Sequence, residues 1–107
     1  MKRGTIVWVN LESETPPEFG KTRPGLIVSN SEQNTLLPTV VIIPISSQGT
    51  EIWPLRLEIK MSKQKKSFAI VPGIRQVSKK RLQEVIEFVS SHTLEAIDEA
   101  MGLYLAD

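Results

Sequence analysis

The chain has 107 residues, enough for one domain spanning 1–107 with a modest core. With 40% apolar and 23% charged residues and a formal net charge of +1, it has the make-up of a soluble globular protein and is no polycation, so any grip on a polyanion must come from local placement of charge. It has no cysteine and one histidine, His92, which excludes disulfides, thiolate nucleophiles and cysteine-ligated zinc, and leaves a monomer without the ligands for a metal site.

Met1-Lys2-Arg3-Gly4 leads straight into an apolar strand pattern. No signal-peptide pattern stands there and no apolar run approaches about 18 residues, so a cytoplasmic protein with no membrane segment is expected. Thr5 to Leu11 is β-branched and aromatic and reads as a strand. Glu12 to Pro24, rich in proline, glycine and polar residues, reads as a loop about a dozen residues long, a length often tied to function. Leu26 to Asn30 is a second strand. Val40 to Ile45 is a third, and its unbroken apolar run implies burial on both faces. Pro44 cannot donate a ladder hydrogen bond, which suggests a strand end or an edge.

Ser46 to Pro54 reads as a second polar loop carrying Trp53, and Leu55 to Ile59 as an alternating, half-buried strand. Met61 to Lys66 is a basic turn. Strands 67–71 and 74–77 flank Pro72-Gly73. Ser78 caps a short helical turn over Lys79 to Leu82. Val85 to Val89 fits either a last strand or a continuation of that helix. Ser90 or Ser91 then caps a helix whose apolar stripe is Leu94, Ile97, Met101 and Leu105, with His92 on the surface at its start. Many short strands with a terminal helix suggest a small curled barrel. Lys and Arg concentrate between Arg56 and Arg81, and carboxylates in the C-terminal third, a division suited to a polyanion-facing side and an acidic back.

The first strand, loop and second strand carry a pattern: Arg3-Gly4-x-Ile6-x-Trp8-Val9-x-Leu11, then Glu18-x-Gly20-x-x-Arg23-Pro24-x-Leu26-Ile27-Val28-Ser29-Asn30. Ile43-Pro44-Ile45-Ser46-Ser47-Gln48, Pro54-x-x-Leu57-Glu58-Ile59, Ile74-Arg75-x-Val77-x-Lys79-Lys80-Arg81-Leu82 and Ile97-Asp98-Glu99-Ala100-Met101 follow in order. Together they resemble the MazF/PemK/Kid family of toxin endoribonucleases over nearly the whole chain. The resemblance implies a mainly β fold with short helices, an SH3-like small β-barrel (MazF/CcdB-like) closed by a C-terminal α-helix. It also implies a homodimer, metal-independent and cofactor-free cleavage of single-stranded RNA, and a cognate MazE/PemI-like antitoxin whose C-terminal tail blocks the site. The family's catalytic arginine falls on Arg23 and its catalytic threonine on Ser46. The RNA groove falls on Lys21, Thr22, Ser47, Gln48, Trp53, Arg75 and Gln76. Two departures stand out: Pro72 and Gly73 occupy the places where many relatives have an acidic residue and a glutamine, and Pro17 stands where some have a histidine.

Cleaving RNA through its own 2′-hydroxyl needs a base for the 2′-proton, an acid for the leaving 5′-oxygen, and positive charge at the phosphorane. Arginine supplies charge and a bidentate grip on phosphate oxygens. One such bond, worth about 1.5–3 kcal/mol, gives roughly ten- to hundredfold in rate if made only in the transition state, so the Ser46 hydroxyl and substrate positioning must contribute too. Glu18, in the same loop as Arg23, is the available carboxylate for the base. Each residue also has a plain reading: Arg23 as a solvated loop residue, Ser46 as a strand end bonding its own backbone, Trp53 as a lid on the core. The rival function is a non-catalytic CcdB-like toxin that binds DNA gyrase. A plain nucleic-acid-binding barrel is a third reading, but it would show more exposed aromatics than a chain with six in all supplies.

Overall fold

In the computed structural model, residues 1–11, 21–62 and 66–106 are described; Glu18, Pro17, Lys63 and Lys65 lie outside the described residues. The elements run β1 (Thr5–Asn10), β2 (Thr22–Ile27), α1 (Ser31–Leu36), β3 (Thr39–Ser46), β4 (Arg56–Ile59), β5 (Ser67–Ile70), β6 (Arg75–Ser78), β7 (Leu82–Phe88) and α2 (Ser91–Tyr104). Short 3-10 turns at Val71–Gly73 and Lys79–Arg81 precede β6 and β7. Every strand pair is antiparallel, in the order β4-β5-β3-β2-β1-β7, with β6 also on β3. Among the described residues the sheet does not close by a ladder. Its two ends still approach, because the Ser62 backbone N–H and hydroxyl just beyond β4 donate to the Glu87 carboxylate of β7, at 3.2 and 3.1 Å to Oε2.

Alternation along β3 explains its apolar run. Val40 and Ile42 join Val7, Val9, Leu11, Ile27 and Val77 in one cluster. Ile43 and Ile45 face the other way, into a cluster with Ile6, Leu26, Leu57, Ile59 and the helical Ile97 and Ala100. Burial on both faces is as the sequence predicts, and each fully buried side chain of this size contributes about 1.5–3 kcal/mol of transfer free energy.

Pro44, by contrast, is neither at the end nor on an edge. One side of β3 pairs with β6 through Ile42 and then with β5 from Ile45, and Pro44 lies at the changeover, where an absent N–H breaks no continuous ladder. Gly25, across from Pro44, has a packing reason: a Cβ there would come within 2.9 Å of Val9 Cγ2 and 3.4 Å of Ile42 Cδ1.

The predicted loop over Glu12 to Pro24 ends sooner than expected, because Thr22, Arg23 and Pro24 belong to β2 and pair with β1. β2 in turn stops at Ile27, and Asn30 leaves the sheet to cap α1, a helix absent from the sequence reading. The Asn30 side chain accepts from Gln33 N at 2.9 Å. Asn34, on that helix, is buried; its Nδ2 donates to Ser29 O at 3.0 Å, and the Ser29 hydroxyl donates to Asn34 Oδ1 while accepting from Val41 N. Residues 82–88 settle as strand β7. Ser78 caps the preceding turn as predicted, accepting from Lys80 N at 3.1 Å, but Leu82 already belongs to β7.

Ser90 is the cap of α2, its Oγ accepting from Thr93 N at 3.1 Å. The buried stripe is Ile97 and Ala100 with Leu94 and Met101 beside them. Leu105 falls beyond the last turn and is 76% exposed. Arg3 ties this helix to the sheet: Nε donates to Val28 O at 2.8 Å and the guanidinium pairs with the Asp98 carboxylate. His92 is exposed, and no helix is long and apolar enough to cross a membrane.

Candidate active-site cleft

The β2–β3 register brings the two principal residues together. Gly25 pairs with Pro44, and Arg23 and Ser46 each lie two residues beyond that last pair, at the same end of the two strands. Both then belong to the sheet face that carries Val9 and Ile42, at the end where the apolar residues stop. They line a cleft of about 550 Å³ with Ser47, Gln48, Gly49, Thr50, Ile52 and Arg56. Arg23 is half-buried between Val9 of β1 and the start of the 46–50 loop. Ser46 is 8% exposed, and its Oγ accepts from Gln48 N at 3.2 Å. The local backbone bond foreseen as the plain reading of Ser46 is therefore present. It uses one lone pair of the hydroxyl and leaves the O–H proton and the other lone pair for a ligand.

The loop that forms the cleft wall is pinned at several points. Arg56 Nη1 donates to Gln48 O at 2.9 Å. The Glu51 carboxylate accepts from Glu58 N at 2.9 Å. Ile52 and Arg56 exchange backbone bonds at 3.0 and 2.7 Å, closing a turn through Trp53 and Pro54, whose peptide bond is cis. Gly49 has a φ of +98°, a conformation that favours glycine, and a Cβ at that position would displace the Arg56 guanidinium.

Arg23 also borders a second, smaller cleft on the opposite face of the same strand ends. Its volume is about 270 Å³ and its walls include Trp8, Lys21, Thr22, Pro24, Ser47 and Ser67. Lys21 enters β2 at a φ of +67°, a conformation that a lysine adopts only under constraint from its surroundings. The constraint is visible: Lys21 O accepts from Leu11 N at 2.8 Å, clamping the end of β1 to the start of β2.

Of the residues expected to form the site, Arg23, Ser46, Ser47 and Gln48 share the larger cleft, and Lys21 and Thr22 share the smaller one with Arg23 and Ser47. Trp53 is 47% exposed at the turn beside Ile52 but lines neither cleft. Arg75 and Gln76 lie on β6 across from Ile42 and Val41, four or more residues along β3 from Ser46. Glu18 falls outside the described residues. Arg56 and Trp8 were not expected in the site. Their signal was the strand alternation itself, which puts Arg56 on the opposite phase from Leu57 and Ile59, and Trp8 on the phase opposite Val7 and Val9.

Among the described residues no three His, Asp or Glu side chains stand close enough to hold a metal ion. The basic stretch is also less uniform than its sequence suggests. Around Lys60 and Lys66 stand Glu58 and Glu87, so that surface mixes signs. The larger cleft brings two guanidinium groups together with a hydroxyl and a row of polar loop residues.

Known proteins resemble this chain in sequence and in fold. The chain is 27% identical over 110 residues to endoribonuclease EndoA of Bacillus subtilis (strain 168), covering 99% of this chain and 95% of that one. It superposes on MazF of Deinococcus radiodurans with a TM-score of 0.85 at 19% identity, over 98% of this chain and 96% of that one. An endoribonuclease in complex with its cognate antitoxin, from a mycobacterial species, gives a TM-score of 0.81 at 22% identity, over 100% and 98% of the two chains. Residues 2–105 match the family described as the PemK-like, MazF-like toxin of type II toxin–antitoxin systems, and the chain belongs to that family.

Proposed function

We propose that this toxin is a metal-independent endoribonuclease that cuts single-stranded RNA at the Arg23–Ser46 cleft and so inhibits translation. The observation that supports the reading is that Arg23 and Ser46, each two residues beyond the Gly25–Pro44 pair on neighbouring strands, line one polar cleft. Attack by the substrate's 2′-hydroxyl needs no metal if cation and hydrogen-bond donors are preset around the phosphorane. Arg23 meets its charge, and Ser46, oriented by Gln48 N–H, hydrogen-bonds the reacting phosphate or ribose. Glu18 remains the candidate base. Lys21, Thr22, Ser47 and Gln48 hold the flanking RNA.

A second copy, in an isologous homodimer, brings Trp53, Arg75 and Gln76 to the extended groove. The partner that silences the toxin is a MazE/PemI-like antitoxin, whose disordered acidic tail folds into the same groove and excludes RNA. The reaction takes place in the cytoplasm, where mRNA is found. Incubating the purified protein with single-stranded RNA in EDTA tests the chemistry: cutting should persist and leave a 2′,3′-cyclic phosphate. Loss of cutting in EDTA with recovery on adding magnesium would overturn the mechanism.

A further inference from the structure

Arg56 is the one residue of the larger cleft whose charge the reading above leaves without a task. It is the first residue of β4, on the exposed phase of that strand. Its backbone is fixed by the paired bonds to Ile52, and its side chain by the bond from Nη1 to Gln48 O at 2.9 Å and by the fit over Gly49. A long, mobile side chain is thus held at both ends with its charge in the cleft. Among the described residues no carboxylate pairs with it, and the Gln48 carbonyl takes one of its five N–H donors. A structural arginine would be expected to meet a carboxylate, as Arg3 meets Asp98.

We propose that Arg56 is a second substrate-binding arginine, which takes a phosphate of the RNA chain neighbouring the one that Arg23 holds. This rests on the RNA-cleaving reading. The bond to Gln48 makes the same residue set the loop that follows Ser46, so the phosphate contact and the shape of the cleft wall go together. Glycine at position 49 is what lets the guanidinium lie this close to the loop.

The test is cleavage of a single-stranded RNA oligonucleotide at several KCl concentrations by the wild-type chain, Arg56→Ala and Arg56→Lys. Arg56→Ala should lower kcat/KM by about tenfold at low salt, as expected for one charge-assisted contact. Its slope of log(kcat/KM) against log[salt] should be shallower by about 0.7, the value for one phosphate contact on a single strand. Arg56→Lys keeps the point charge and should restore the wild-type slope, although it loses the planar grip on the loop. An Arg56→Ala protein that folds by circular dichroism and keeps the wild-type slope would overturn the proposal, and so would a lysine variant whose slope matches alanine's. A purely structural role predicts the unchanged slope, since it lowers the rate without changing the number of phosphates contacted. If the wild-type chain itself cuts no RNA, it is the RNA-cleaving reading that falls.

Discussion

Arg23 reaches the cleft from within a strand, paired with Val9 on β1, so its backbone is held whatever its side chain does. Arg23→Ala should therefore still fold, with the β1–β2 pairing intact. Cleavage should fall by at least about a hundredfold, because the phosphorane loses its main charge partner. An Arg23→Ala protein that folds and cuts normally would remove Arg23 from the mechanism. Ser46 differs, because its hydroxyl is also part of the loop: it accepts from Gln48 N. Ser46→Ala leaves that amide to find another acceptor, at a cost of about 1 kcal/mol, and removes a hydroxyl from the cleft. Ser46→Thr keeps both roles. If the hydroxyl acts on the substrate, threonine should cut within a few-fold of wild type and alanine should be impaired about as much as Arg23→Ala. If Glu18 as base carries the proton transfer alone, Ser46→Ala should be the milder of the two.

Elements form here where local pattern and sheet pairing agree, and the stability of α1 offers a check on that. With six residues it has little periodicity to betray it, and an isolated helix so short would not persist in water. Its support is the Asn30 cap and the buried Asn34–Ser29 bonds. Asn30→Ala should lower the unfolding free energy by about 1 kcal/mol in a urea titration, with cleavage unchanged. A result near zero would mean that the Asn34 anchor holds the helix by itself. The legible signal was Asn30 followed three residues later by Gln33, the spacing of a capping box, hidden because Asn30 also reads as the end of an apolar strand.

The strand core was legible because β3 is apolar on both faces and β4 alternates. Part of the candidate cleft was legible too, since Arg23, Ser46, Ser47 and Gln48, which line it, sit in segments that resemble a known family. What could not be read was pairing. The start of β2 at Thr22 depends on β1 lying beside it, which overrides the turn chemistry of Lys21-Thr22-Arg23-Pro24. Pro44 is tolerated inside β3 only because β6 gives way to β5 there. The place of Arg56 in the cleft depends on a loop conformation that needs Gly49 at positive φ.

At the scale of the whole molecule, several large apolar side chains remain exposed among the described residues. Ile52, Trp53 and Leu55 are 52%, 47% and 39% exposed at one turn, and Val85 and Phe88 are 47% and 56% exposed on β7, an end strand of the sheet. Apolar side chains on an edge strand invite association, and natural proteins tend to charge or cover such edges. Here the covering by Lys2, whose Nζ lies 5.0 Å from the Phe88 ring centroid, is partial. A two-fold dimer would bury this surface in pairs and set two Arg23–Arg56 clefts in one particle, doubling the phosphates engaged along one RNA strand. Light scattering at micromolar concentration should then give roughly twice 12.0 kDa. RNA affinity should fall steeply with salt, with a slope that reflects several phosphate contacts at about 0.7 each, despite a net charge of only +1 per chain. A protein that stays monomeric at high concentration and binds RNA without salt dependence would contradict both the shared groove and the phosphate-based grip, and the exposed apolar residues would then have to serve the antitoxin alone.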